Sequence, residues 1–300
     1  MEIDRKELKR QAKECIALTD PKFWVVALAY IAMTTGVSWL ISLISLVLPS
    51  GSSFPAIAST QLFFTLLLNL YTAVVNFGLC LWALWTYRQL DPGVNSLMQG
   101  FSVAGRVLLM KLGVFVRILG WCLLGTMGIS GPVFFFMAQD LFLGLLAFFF
   151  AYIALIVLAV FLALRYALAP YLLADRPDDG PSAAIYRSAG LMRGWKWQLF
   201  KLRFSFIGWE AINYLLSAAV LIAFLYYADL LTADAISDPL WRDQAIAVVY
   251  SLPSVILSTL VTIPLSLWLL PYRETALAGF YDARLMAASQ TTDRPEMPPL

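Results

Sequence analysis

The chain has 300 residues, of which 61% are hydrophobic and 13% are charged, whereas soluble domains contain roughly 45–50% apolar and about 25% charged residues. Its apolar stretches continue for 20 residues and more, which excludes a soluble core and predicts an all-α polytopic membrane protein among membrane lipids. The net charge of +2 argues against nucleic acid as a partner. Because histidine is absent, the commonest transition-metal ligand and general base are missing, and we expect no metal and no cofactor.

Six apolar segments predict transmembrane helices, because each exceeds the ~20 residues needed to cross ~30 Å of hydrocarbon. In chain order they are Phe23 to Leu48, Leu62 to Trp85, Val107 to Met127, Leu141 to Leu164, Phe204 to Tyr227 and Ala245 to Leu270. The segments lack the alternation of barrel strands, which favours helices. The first segment is too long for the core of a signal peptide, so we expect it to remain as an anchor.

The basic residues indicate the orientation of the spans. If the six segments alternate in direction, all of the 21 lysines and arginines except Arg242 fall on the side of the two termini. Positive charge near span ends resists translocation, so both termini are predicted to be cytoplasmic.

The connections on the opposite side are short: Pro49 to Gln61, Gly128 to Asp140 and Ala228 to Gln244. The last of them carries four aspartates, namely Asp229, Asp234, Asp238 and Asp243. A solvated loop is the favoured interpretation of these acids, and a divalent-cation site is the alternative.

Amphipathic segments before the spans predict interfacial helices on the cytoplasmic side. Before span one the apolar face consists of Leu8, Ala12, Cys15 and Ile16. Before span five Ser182 is a candidate helix cap, and the apolar positions i, i+4 and i+7 are Ile185, Ala189 and Met192. Trp195 and Trp197 follow, at positions that suit the headgroup level.

A threefold internal repeat is suggested by the approaches to spans three and five, since residues 110–121 align with residues 200–209 with one gap. The even spans also end alike, at Tyr87-Arg88, Arg165-Tyr166 and Tyr272-Arg273. The predicted units are residues 1–88, 89–175 and 176–284 of a single membrane domain, 1–284, before a disordered tail, 285–300. The alternative is that aromatic and basic residues collect at every cytoplasmic boundary without common ancestry.

Charged residues inside spans are costly and indicate either functional sites or internal ion pairs. Glu210 is the clearest case, with Asn213 and Arg203 on the same predicted helix face. We expect Glu210 to pair with Arg203 or with Arg117 of span three, and a substrate or proton site is the alternative.

Two further groups of polar residues lie in the spans. Lys111 is expected to extend to the headgroups, whereas Arg117 is deeper and is a candidate for a cavity. Asn69 and Asn76 share a face of span two and are expected to bridge helices rather than to bind a solute.

Several short segments resemble a known family. They are Arg5-Lys-Glu-Leu-Lys9, Ala169-Pro-Tyr-Leu-Leu-Ala-Asp175, Ser188-Ala-Gly-Leu-Met-Arg-Gly-Trp-Lys-Trp-Gln-Leu-Phe200, Ser205-Phe-Ile-Gly-Trp209, Pro271-Tyr272 and Phe280-Tyr281. In this order they resemble the bacterial integral membrane proteins grouped as domain of unknown function 975. The resemblance covers most of the chain and implies a bacterial plasma membrane protein. It carries no activity and no catalytic residue.

Three functions fit these observations. The first is a non-enzymatic, membrane-embedded interaction or accessory protein, with a membrane-protein partner or as a homo-oligomer, because the outer loops are short and familiar catalytic motifs are absent. The alternative is a small transporter or channel for a small solute or lipid, which the polar residues in spans three and five favour. An enzyme that acts on lipid headgroups through Asp175, Asp178 and Asp179 ranks last, because a turn before a helix explains these acids.

Overall fold

The computed structural model describes residues 4–41, 54–90, 92–232, 235, 237–249 and 251–292. Within these ranges the chain is helical and contains no strand. The first helices are α1 (Arg5–Leu18), α2 (Phe23–Ile31, extended to Ile41 through a π-helical turn at Ala32–Gly36), α3 (Phe54–Tyr87), α4 (Asn95–Ser102), α5 (Ala104–Gln139) and α6 (Leu141–Arg165). The remaining helices are α7 (Ala169–Asp175), α8 (Gly180–Leu191), α9 (Lys196–Phe204), α10 (Ile207–Tyr227), α11 (Trp241–Val249) and α12 (Leu252–Thr292).

Six of these helices, α2, α3, α5, α6, α10 and α12, are long and apolar enough to cross a membrane. The predicted number of spans and the all-α class are therefore confirmed, although residues 42–48 of predicted span one lie outside the described residues. The spans carry their apolar side chains on the outside, where Phe134 and Phe142 are 70% and 71% exposed. A lipid environment removes the cost of such exposed apolar surface.

Helices α5 and α6 form an antiparallel hairpin that the sequence did not predict in this form. The predicted connection Gly128 to Asp140 is wrong, because α5 continues through Pro132 to Gln139. Asp140 alone separates the two helices, and its carboxylate accepts a 2.7 Å hydrogen bond from the Phe142 amide N–H as a cap. The predicted connection contains glycine and proline, yet the apolar helix continues, because leaving it in lipid would expose unpaired backbone groups.

The last span differs from its prediction at both ends. The predicted range Ala245 to Leu270 covers the end of a separate short helix, α11, and part of α12. Helix α12 passes through Pro264 and Pro271 and ends at Thr292. The predicted span ended at Leu270, just before Pro271, but neighbouring helices hold the chain helical past this proline.

The predicted disordered tail, 285–300, is wrong for residues 285–292, which belong to α12. Leu285 packs against the buried core, and this contact accounts for the continued helix. Residues 293–300 lie outside the described residues.

The buried core lies at the end of the bundle where the N-terminal helix meets the C-terminal helix. It contains side chains from the end of α3, from α7 and α8, and from the second half of α12, among them Trp82, Leu173, Met192 and Phe280. The terminal helices are in contact through Tyr87, whose hydroxyl donates to Gln11 of α1 at 2.9 Å and whose ring adjoins Gly279 of α12. The span ends predicted to be cytoplasmic thus meet in one cluster of helices. We call this cluster, formed by α1, the end of α3, α7, α8 and the second half of α12, the platform.

Arg88 connects three helices within this platform. Its guanidinium donates two hydrogen bonds to Asp175 at the end of α7, of 2.5 and 2.9 Å, and two to Asp282 of α12, of 2.7 and 3.1 Å. Tyr281 donates a 2.7 Å hydrogen bond to Asp175. The bonds to Asp175 and then to Asp282 raise the pKa of Arg88 above its ordinary value, so the residue stays cationic.

The short helices bury the apolar faces that the sequence indicated. In α1 the buried residues are Leu8, Ala12, Cys15 and Ile16. In α8 the buried residues include Ile185, with Met192 just after the helix. Ser182 is not the helix cap, because α8 begins at Gly180 with Pro181 in its first turn, where proline costs no hydrogen bond. The position of these helices at a membrane surface and the threefold repeat stay predictions.

Candidate functional site

Two cavities meet at an ion pair between α10 and α12. Arg273 of α12 donates a 2.6 Å hydrogen bond from Nη1 to Oε1 of Glu210 on α10. The same guanidinium donates from Nη2 to Oε1 of Glu274 at 2.9 Å and from Nε at 3.1 Å. Glu210 and Arg273 line both cavities. The ion pair therefore lies between the two cavities and forms the wall that they share.

The smaller cavity, of about 380 Å³, follows the interface of α10 and α12 away from the platform. Beyond the ion pair its polar lining includes Asn213 and Ser217 on α10 and Thr262 and Ser266 on α12. Asn213 Nδ2 donates to Ser266 Oγ at 3.2 Å, whereas its buried Oδ1 has no hydrogen-bond partner within the described part of the chain. An unpaired acceptor of this kind suits a solute or a water molecule.

The larger cavity, of about 430 Å³, lies on the platform side of the ion pair. Three cations line it, Lys111, Arg203 and Arg273, together with the carboxylates of Glu210 and Glu274. Its neutral polar lining includes Asn76, Cys80 and Tyr171. Charged groups of both signs in a membrane-spanning region are the usual mark of a binding site or an internal pair.

Helix α1 supports the junction between α9 and α10 beside this cavity. Lys9 lies 4.3 Å from the ring centroid of Phe206 and donates to the Ser205 carbonyl at 3.4 Å. Burial lowers the pKa of Lys9, and Lys13 and Arg5 lower it further. The N-terminal helix therefore holds the start of α10, and with it Glu210, against the platform.

The predicted partners of Glu210 are wrong. Its guanidinium partner is Arg273, 63 residues away, and neither Arg203 nor Arg117 forms an ion pair within the described ranges. Arg203 is separated from Glu210 by the break between α9 and α10, so the two residues do not share one continuous helix face. Arg117 is exposed and donates to the Gly113 carbonyl of its own helix at 2.9 Å, away from the cavities.

The two asparagines of α3 have different surroundings. Asn76 accepts a 2.5 Å hydrogen bond from Tyr30 of α2, which connects the two helices as expected, and it also lines the larger cavity. Asn69 is exposed and donates to the Thr65 carbonyl of its own helix at 2.7 Å. The candidate intramembrane residues thus divide into four at the cavities, Glu210, Asn213, Arg203 and Asn76, and two away from them, Arg117 and Asn69.

Several cavity residues escaped the sequence analysis. Arg273 and Glu274 lie beyond Leu270, the predicted end of span six. Lys111 was expected at the headgroups, whereas its side chain lines the larger cavity. Ser266 and Thr262 carried a usable signal, since with Arg273 they recur along one side of an otherwise apolar helix.

The acids at and after the end of α7 are paired with arginines. Asp178 lies 3.2 Å from Arg106, and Asp179 contacts Arg187. With Asp175 held by Arg88, each acid of this group has a basic partner. Of the acids in the loop predicted to be external, Asp234 lies outside the described residues. Within the described ranges no group of three or more acidic, cysteine or histidine residues is placed to hold a metal ion.

Comparison with known proteins identifies a family for this architecture. The family described as Protein of unknown function (DUF975) matches residues 1–287. The chain belongs to this family. The match includes five spans in full, the sixth span as far as residue 287, and every residue of both cavities. No curated protein and no solved structure matches the chain.

Proposed function

We propose that this DUF975 protein is a small, non-enzymatic transporter of a polar solute or lipid in the bacterial plasma membrane. The proposal depends on one observation, the shared Glu210–Arg273 wall between the two cavities. A pair at the meeting point of two polar cavities can rearrange to connect them, since Arg273 also has Glu274 as an alternative partner. An ion pair that served only to hold two helices together would not need open polar space on both sides.

A polar path along α10 and α12 supports the same proposal. Glu210, Asn213 and Ser217 follow one another at helical spacing on α10 and face the hydroxyls of Thr262 and Ser266. From Arg273 to Thr262 the path extends over about 16 Å at 1.5 Å per residue, roughly half of the hydrocarbon thickness. A solute that passes the ion pair would thus meet polar groups rather than acyl chains.

Thiol labelling tests whether water reaches this path. In a variant with Cys15, Cys80 and Cys122 changed to serine, Ser266→Cys should react with a membrane-impermeant methanethiosulfonate reagent about tenfold faster than a lipid-facing thiol, because only a hydrated thiol forms thiolate. The measurement is the labelling rate of the full chain in proteoliposomes.

The matched control is Leu260→Cys in the same background. Leu260 lies on the same helix and is 52% exposed, so its side chain faces lipid in a membrane. Equal labelling rates at the two positions would mean that the interface of α10 and α12 is dry, and the transport proposal would fail.

The orientation is also part of the proposal: six spans, with the N-terminus and the C-terminus in the cytoplasm. It is supported by the basic residues around the platform, including Arg88, Arg176 and Arg284. Alkaline phosphatase inserted after Arg176 should be inactive, and the same insertion after Thr232 should be active, because the enzyme folds only outside the cytoplasm. The measurement is phosphatase activity normalised to the amount of fusion protein. Activity at both positions, or only after Arg176, would contradict the orientation.

An accessory function is the second candidate, and the hairpin of α5 and α6 is the observation that favours it. Far from the platform its aromatic side chains, including Phe135, Phe148 and Phe149, are 57–62% exposed. This surface would suit a membrane-protein partner or a second copy of the chain as well as lipid. The accessory function gains support if Ser266→Cys is unreactive.

The non-enzymatic part of the proposal is supported by the state of the cytoplasmic acids. Asp175, which would have to carry the chemistry of a headgroup enzyme, accepts two hydrogen bonds from Arg88 and one from Tyr281. A carboxylate with these donors is held in its ionised form and in one orientation. Such a group serves better as a structural connection than as a general acid.

A further inference from the structure

The larger cavity contains unpaired positive charge. Its two carboxylates, Glu210 and Glu274, both accept hydrogen bonds from Arg273. Lys111 and Arg203 line the same cavity, and within the described residues neither has a carboxylate partner within ion-pair distance. Both carboxylates of the cavity therefore bind the same guanidinium, that of Arg273. Lys111 and Arg203 are left without a carboxylate partner and are available to a ligand.

The two unpaired cations lie on the open side of the cavity. Lys111 and Arg203 are both exposed, whereas Tyr171 at the inner wall is 3% exposed. They approach from different elements, Lys111 from α5 and Arg203 from the end of α9. A ligand that enters from this side would therefore meet positive charge on two sides before it reaches the Glu210–Arg273 pair.

The chemistry of these groups selects a phosphate. A guanidinium presents a planar set of donors that matches two phosphate oxygens, and an ammonium adds a compact charge with three donors. The carboxylates repel an anion from the inner wall unless Arg273 stays between them and the ligand, which its hydrogen bonds to both of them ensure. The cavity volume of about 430 Å³ is within the range of small-ligand sites.

We propose that the larger cavity binds a phosphate-bearing anion between Lys111 and Arg203. The assignment rests on the proposed function, since it gives the substrate class of the same cavities. The phosphate could belong to a lipid headgroup, because both cations lie where span three and the approach to span five meet the platform, or to a free phosphorylated solute. The remaining wall includes Leu79, Pro170 and Leu277, which suits an apolar or uncharged remainder of the ligand.

Two binding measurements on the full chain distinguish these sources. In the lipid measurement, native mass spectrometry compares retention of phosphatidylglycerol with retention of phosphatidylcholine by the detergent-solubilised protein. In the solute measurement, calorimetry records the binding of inorganic phosphate and of glycerol 3-phosphate. The double variant Lys111→Gln, Arg203→Gln should lower the affinity for the phosphate ligand about tenfold or more, because it removes two charge-assisted contacts.

The control variant removes the same number of charges from the same region outside the cavity. Arg193→Gln with Lys201→Gln should bind like the unchanged protein, since neither residue lines either of the two cavities described above. The charge-conserving variant Lys111→Arg, Arg203→Lys should also retain binding, which separates loss of charge from loss of fold. Loss in the lipid measurement assigns a headgroup, and loss in the solute measurement assigns a free anion.

The assignment is overturned if the glutamine variant binds every phosphate ligand like the unchanged protein, or if the control variant loses as much affinity. Its failure is separate from that of the transport proposal. Reactive Ser266→Cys without phosphate binding would retain a hydrated path and reject this substrate class. Phosphate binding with unreactive Ser266→Cys would retain the anion site and reject passage along α10 and α12.

Discussion

Replacing Arg88 by glutamine should destabilise the protein by about 3 kcal/mol, because removing one partner of a buried ion pair leaves its counter-charges uncompensated. Arg88 serves two acids at once, and the side chains of Asp175 and Asp282 are only 20% and 10% exposed. The value is placed at the lower end of the usual range because the Arg88 side chain is 30% exposed. The measurement is the apparent melting temperature in detergent, by size-exclusion chromatography of heated samples.

Two further variants test whether the loss of stability comes from unpaired buried charge. Arg88→Met combined with Asp175→Asn and Asp282→Asn should recover most of the loss, since no unpaired charge remains. Arg10→Gln is the matched control, because Arg10 also contacts two acids, Glu7 and Glu14, but its side chain is 62% exposed. We expect a much smaller loss of melting temperature there, because an exposed ion pair contributes little to stability. Equal losses for Arg88→Gln and Arg10→Gln would mean that Arg88 does not hold the platform together.

The second large effect is expected at Arg273. Arg273→Gln leaves both Glu210 and Glu274 without their guanidinium partner inside the bundle, and it should also cost about 3 kcal/mol. Glu210→Gln is milder, at about 1 kcal/mol, because Arg273 retains its two hydrogen bonds to Glu274. Melting temperatures of the two variants in detergent measure this asymmetry.

The double variant Glu210→Gln, Arg273→Gln extends this test to function. It should be more stable than Arg273→Gln alone, because one of the two unpaired carboxylates is removed. In the Ser266→Cys background the same pair of changes should alter the labelling rate, since the shared wall of the two cavities loses its charges. If Glu210→Gln is as destabilising as Arg273→Gln, then Glu274 is not the alternative partner that a rearranging pair requires.

The spans were predictable from the sequence, and their ends were not. The length of an apolar stretch depends only on residues that are neighbours in the chain. Six such stretches, each long enough to cross the hydrocarbon, therefore predict six helices. The predicted ends were wrong at residues 128–140 and after Leu270, where a helix continues through glycine or proline. In lipid, leaving the helix costs more than bending it.

The candidate site was predictable only in part. Glu210, Asn213 and Asn76 were found because a polar residue in an apolar helix is costly wherever the helix packs. The partner of Glu210 was not found, since Arg273 is 63 residues away and only the packing of α12 against α10 brings the two together. Arg117 also lies inside an apolar span, but its helix, α5, packs against α6 and α8 rather than against α10.

The sequence alone thus determined the helical class, the number of spans and the apolar face of α1, because hydrophobic length and period depend on residues close together in the chain. Tertiary structure alone decided which charges meet. The pairing of Glu210 with Arg273, the connection of three helices by Arg88, and the two unpaired cations in the larger cavity all depend on distances between separate helices. Those distances follow from how α2, α3 and α10 pack against α12, which no local pattern of residues specifies.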